Sequence, residues 1–82
     1  MELNRIRWAS RRGMLELDLI LQPFIENSYS ALSREDQQRY QKLLDEQDVD
    51  LFAWLLNHQI PPNQELQRIV QIVRDSVSSK SP

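Results

Sequence analysis

The run Arg11-Arg12-Gly13-Met14-Leu15-Glu16 brings two guanidinium groups, the only glycine of the chain and a carboxylate into one short stretch. Arginine offers a planar set of donors, Glu16 offers an acceptor, and a glycine lets the backbone of a partner approach closely. The same residues also have a purely structural explanation. Gly13 can make a turn between two helices, Glu16 can favour the dipole of the second, and Arg12 can pair with Glu16. On chemistry alone the two explanations stand level. Arg5, Arg7, Arg11 and Arg12 also surround Trp8, a basic and aromatic combination able to touch phosphate and stack a base. Residues 13–50, however, carry nine acids against three bases, and the sequence pI is near 5.3. Four arginines beside that many acids do not make a stable nucleic-acid site.

The remaining chemical inventory is thin. His58 is the single histidine and lies in no nucleophile elbow, and a metal site needs several ligands in mutual reach. A calcium loop begun at Asp45 puts Asp50 where glycine is required, and one begun at Glu46 puts Leu51 there. One glycine permits neither a dinucleotide fingerprint nor a P-loop, so no tight FAD site is expected. The absence of cysteine excludes a disulfide framework, thiolate metal ligands and a cysteine nucleophile. These residues predict no catalytic group, no metal and no resident cofactor.

The elements that must position Arg11–Glu16 are helical. Eighty-two residues make one small domain, expected to bury about 60% of its unfolded surface. One glycine and four prolines leave few hairpin turns, and apolar residues repeat at helical spacing. The prediction is an all-α, compact five-helix bundle over residues 1–77, with 78–82 as a frayed tail. A first helix spans Leu3–Arg12 with Ile6, Trp8 and Ala9, and stops at Gly13, where a positive φ costs little. The second carries Leu17, Ile20, Leu21 and Phe24, with Met14 one turn earlier, and Pro23 should kink it. Ser33 caps a third helix through Tyr40, Leu43 and Leu44. Asp48 can cap a fourth, with Leu51, Phe52, Leu55 and Leu56, ending near His58. Asn63 caps a fifth, whose stripe is Leu66, Ile69, Val70, Val73 and Val77. Trp8 and Trp54 are expected in or half in the core. No apolar run reaches the ~20 residues of a membrane span, and the first twelve residues lack the apolar segment of a secretory signal. Residues 1–12 nonetheless hold a charge of +3 against −6 over 13–50, an asymmetry suited to a protein partner.

Arg12-Gly13-x-x-Glu16, set within Trp8-Ala-Ser-Arg-Arg-Gly-Met-Leu-Glu-Leu-Asp18, resembles the RGxxE signature of the SdhE-type flavinators, succinate dehydrogenase assembly factors. Pro23-Phe24, Tyr40-Gln-Lys-Leu-Leu44 and Asp48-Val-Asp-Leu-Phe-Ala-Trp-Leu55 follow in the order and spacing of that family, so the resemblance covers roughly residues 3–75. Val49 departs from it, standing where many members have proline. The resemblance implies a non-catalytic bacterial cytoplasmic helper, monomeric when free. Its partner would be the flavoprotein subunit of succinate dehydrogenase, and also that of fumarate reductase. The FAD belongs to that partner, where it becomes attached to a histidine, and the helper stabilises an aligned conformation. By carry-over Arg12, Gly13 and Glu16 lie in the interface, with Arg5, Trp8, Arg11 and Met14 on neighbouring surface. The family also implies an alternative, an antitoxin-like protein that counters a membrane-associated toxin.

Overall fold

The structure, a computed structural model, describes residues 2–78. Five α-helices follow in order: α1 (Glu2–Ser10), α2 (Leu15–Asn27), α3 (Arg34–Leu43), α4 (Asp48–Leu55) and α5 (Gln64–Ser78), with a single 3₁₀ turn at Tyr29–Ala31 between α2 and α3. Ser78 ends α5, and the rest of the expected frayed tail lies outside the described residues.

The core joins most of the predicted helical stripes, with Ile25 added and Met14, Ile20, Phe52 and Leu56 only partly buried at its edge. Leu17, Leu21, Phe24 and Ile25 of α2 meet Tyr40 and Leu43 of α3, Leu51, Trp54 and Leu55 of α4, and Leu66, Ile69, Val70 and Val73 of α5. The Tyr40 ring packs at 5.1 Å from Phe24 and 5.4 Å from Tyr29, tilted in both pairs. Its hydroxyl is buried but satisfied. Ser10 Oγ donates to the Ile6 carbonyl at 2.9 Å, so the Tyr40 hydroxyl donates to Ser10 Oγ at 2.7 Å. Burial pushes the Tyr40 phenol up to about 12. This bond ties the end of α1 to α3.

The helix ends follow local rules with two exceptions. Ser33 Oγ accepts from the Asp36 amide at 3.2 Å, and Asn63 Oδ1 accepts from the Leu66 amide at 2.9 Å, so both predicted caps form. Asp48, in contrast, is the first residue of α4 and does not cap it. Its carboxylate turns instead to the guanidinium of Arg12, a charge-assisted bond at 2.7 Å. After α4 the left-handed residue is His58, at φ 60°, and the Gln59 amide closes the turn on the Ala53 carbonyl at 3.0 Å.

Three further expectations are corrected. α1 stops at Ser10 rather than Arg12, because the Arg12 amide leaves the helical ladder for the Asp18 carboxylate at 2.8 Å. Trp8 is 72% exposed while Trp54 is buried. Ile6 and Ser10, one turn apart, occupy the inward face of α1, and Trp8 points away from it. α2, expected to kink at Pro23, runs through that residue to Asn27 as one helix. Pro23 and Leu19, whose carbonyl loses its donor, are both exposed, so water can serve that carbonyl. Val77, one turn beyond Val73, leaves the core and is exposed.

Asp36 of α3 is buried between two arginines. Arg68 of α5 reaches it through Nε at 2.8 Å and Nη2 at 3.1 Å, and Arg39 through Nη1 at 2.8 Å. These bonds hold its carboxyl down at about 2 despite the burial that opposes them. Arg39 also bonds Glu65 at 2.8 Å, so α3 and α5 are joined by a connected network.

Candidate functional site

The turn between α1 and α2 is built around Arg12. Its guanidinium Nε donates to Asp48 Oδ1 at 2.7 Å. Nη1 donates to the carbonyls of Ala9 and Leu44, and Nη2 to that of Glu46, each at 2.9 Å. Four of the five N–H donors of an arginine are thus directed at oxygens of this chain. The side chain is only 16% exposed. Asp18 acts on the same residue from the other side, its Oδ1 accepting from the Arg12 amide. The expected pairing of Arg12 with Glu16 does not form; Asp48, nearer in space and far in sequence, takes its place.

The clasp leaves Gly13 and Glu16 on the outside of the turn. Gly13 is exposed at φ 80°, in the left-handed region that favours glycine, and a Cβ built there meets nothing within 4 Å. Among the described residues Glu16 makes no hydrogen bond or ion pair, and it stands exposed in the first turn of α2. Carboxylate and bare backbone therefore face solvent beside a turn whose geometry is fixed from within.

The neighbouring candidates divide. Trp8 and Arg11 are exposed together, with the Arg11 guanidinium 6.0 Å from the indole centroid. Met14 is half-buried and packs against the core. Arg5 lies further along α1, lining a groove of about 480 Å³ with Ala9, Gln38, Gln41 and Lys42. The structure thus brings Arg12, Gly13 and Glu16 together at one turn, while Arg5 opens onto the α1–α3 side.

Sequence reasoning missed four residues here. Asp18 and Asp48 hold Arg12, and Leu15 and Leu19 are 69% and 66% exposed on the solvent side of α2, flanking Glu16. The leucines carried a readable signal, since both fall off the stripe formed by Leu17, Leu21 and Phe24. Asp48 carried none, because only the tertiary fold brings it to Arg12.

Among the described residues no three His, Asp or Glu side chains are placed to hold a metal ion, and no helix is long and apolar enough to cross a membrane.

Comparison with known proteins adds the family. Residues 4–77 match the model of the flavinator of succinate dehydrogenase. The FAD assembly factor SdhE of Shewanella oneidensis is 50% identical over 74 residues, which cover 90% of each chain. That of Pseudomonas aeruginosa is 46% identical over 93% of this chain and 90% of its own. That of Pectobacterium atrosepticum is 40% identical over 96% and 90% respectively. These relatives are named as assembly factors, a non-catalytic role. With a match that runs from the start of α1 to the last turn of α5, the chain belongs to the flavinator of succinate dehydrogenase family.

Proposed function

We propose that this chain binds the flavoprotein subunit of succinate dehydrogenase and promotes covalent attachment of FAD to it. The observation that carries this reading is the family match over residues 4–77, with relatives named FAD assembly factors. The contact surface is Gly13 and Glu16, extended by Trp8, Arg11 and the exposed part of Met14, with Arg5 at its margin and Arg12 holding the turn.

The physical character of that surface suits a protein partner. Trp8 and Arg11 are of the residue types that dominate interface energetics, and the exposed Leu15 and Leu19 add apolar area beside the Glu16 carboxylate. The helper supplies no reacting group. It favours the conformation of the flavoprotein in which histidine and flavin are aligned, so its binding energy acts on positioning. FAD stays with the flavoprotein, and the free helper is a monomer in the bacterial cytoplasm. The flavoprotein of fumarate reductase is a second partner of the same kind.

The test is complementation in cells lacking their own helper. Wild-type chain should restore flavin fluorescence to the denatured dehydrogenase subunit in a gel, and Glu16→Ala, an exposed change costing at most about 1 kcal/mol of stability, should not. Wild-type chain that leaves the subunit dark would overturn the proposal.

A further inference from the structure

We infer that Asp48 and Asp18 are positioning residues for partner binding: they hold Arg12, and Arg12 presents Gly13 and Glu16 without itself reaching the partner. This inference rests on the proposed binding of the flavoprotein subunit and assigns the signature arginine a different task from its two companions.

The clasp is reached from both directions. Asp48, at the first position of α4, takes the Nε of Arg12, and the carbonyls of Leu44 and Glu46 in the α3–α4 connection take its Nη groups. Asp18, on the first turns of α2, takes the Arg12 amide. A guanidinium with four of its five N–H groups directed at oxygens of its own chain keeps one donor at most for another protein, and a forked contact would have to break these bonds. Among the described residues Gly13 and Glu16 have no such engagement. The α1–α2 turn has just one glycine and no ladder bonds of its own across Gly13, so its shape depends on what holds Arg12. An edge held in its binding conformation loses less entropy on association.

The experiment is a double-mutant cycle on affinity. Purified full-length wild type, Arg12→Ala, Asp48→Ala and the double mutant are titrated calorimetrically into purified succinate dehydrogenase flavoprotein subunit, well below any melting transition. Asp48→Ala should weaken binding about tenfold although Asp48 lies outside the signature, and the double mutant should bind no worse than Arg12→Ala, the two acting as one unit. Additive losses, or wild-type affinity in Asp48→Ala beside a large loss in Arg12→Ala, would mean that Arg12 meets the partner directly and would overturn the inference.

Hydrogen exchange separates positioning from mere stability. In Asp48→Ala the amides of residues 12–16 should exchange faster while α5 keeps its protection; loss of protection throughout α5 would overturn the inference. If Asp48→Ala fails to fold, Asp48→Asn, which keeps an acceptor and loses the charge, takes its place under the same criteria. A wild-type chain that does not bind the subunit sinks the proposed function together with the inference, whereas normal wild-type binding with unchanged Asp48 variants sinks the inference alone.

Discussion

Gly13→Arg separates fold from function at the signature. The substituted residue must adopt the φ of 80° that glycine holds there, and a left-handed conformation costs a side-chain-bearing residue about 1–2 kcal/mol. No steric cost adds to this, because a Cβ at Gly13 meets nothing within 4 Å and the position is exposed. Restricting the unfolded chain returns about 0.4–1 kcal/mol, so the net loss should be near 1 kcal/mol. In a domain of this size that lowers the melting temperature by roughly 4–8 °C. The protein should therefore remain a cooperative helical domain at growth temperature. Its new side chain would stand on the proposed contact surface, beside the exposed carboxylate of Glu16. Circular dichroism melts measure the first effect, and in-gel flavin fluorescence of the dehydrogenase subunit measures the second. A drop of more than about 15 °C would refute the open geometry read at Gly13. A stably folded Gly13→Arg that restores full fluorescence would refute the interface itself.

Three further outcomes are expected. Leu55→Ala, at a buried position of α4, should cost about 2–5 kcal/mol through lost burial and a cavity, and denaturant titration should show the whole domain weakened rather than the α1–α2 turn alone. The Asp36 carboxyl, held at about 2 from an ordinary 3.8, should contribute about 2 kcal/mol of stability that is fully present above pH 4 and is lost as pH falls from 4 toward 2; acid titration of Asp36→Asn should lack that segment. Calorimetry of the isolated chain with free FAD should show no stoichiometric binding at low micromolar concentration, and such binding would make the chain a flavin carrier instead of a protein-binding helper.

Local physics made most of the fold legible. The stripes of α2 and α5 follow from helical spacing, and Ser33 and Asn63 cap the helices they precede. Gly13 reveals a left-handed turn because no other residue adopts one so cheaply. Illegible features depended on partners distant in sequence. Asp48 has the form of a cap, yet a guanidinium thirty-six residues upstream competes for its carboxylate and wins. Trp8 is a residue type common in cores, but the inward face of α1 is the one that carries Ile6 and Ser10, the latter bonded to Tyr40. His58 shows the same limit, holding a left-handed turn that its residue type does not advertise. At the candidate site the motif located the turn, but not the division of labour within it.

That division changes how mutations of the signature should be interpreted. Two of the three carbonyls held by Arg12, those of Ala9 and Leu44, lie in the last turn of α1 and just past the last turn of α3, where backbone oxygens lack helical partners and carry the negative end of the dipole. Its anionic partner Asp48 sits at the start of α4, the opposite pole. One guanidinium thus serves two helix C-termini and a carboxylate at a third helix's N-terminus, a task that needs a fork of donors and that lysine, with a single compact ammonium, cannot reproduce. Removing it leaves part-buried oxygens without donors, which costs stability at each of them. Loss of flavinylation in Arg12→Ala would therefore occur whether or not Arg12 touches the partner. Glu16→Ala removes a side chain that makes no hydrogen bond or ion pair among the described residues, so failure of that variant, while it stays folded, is the result that locates the interface.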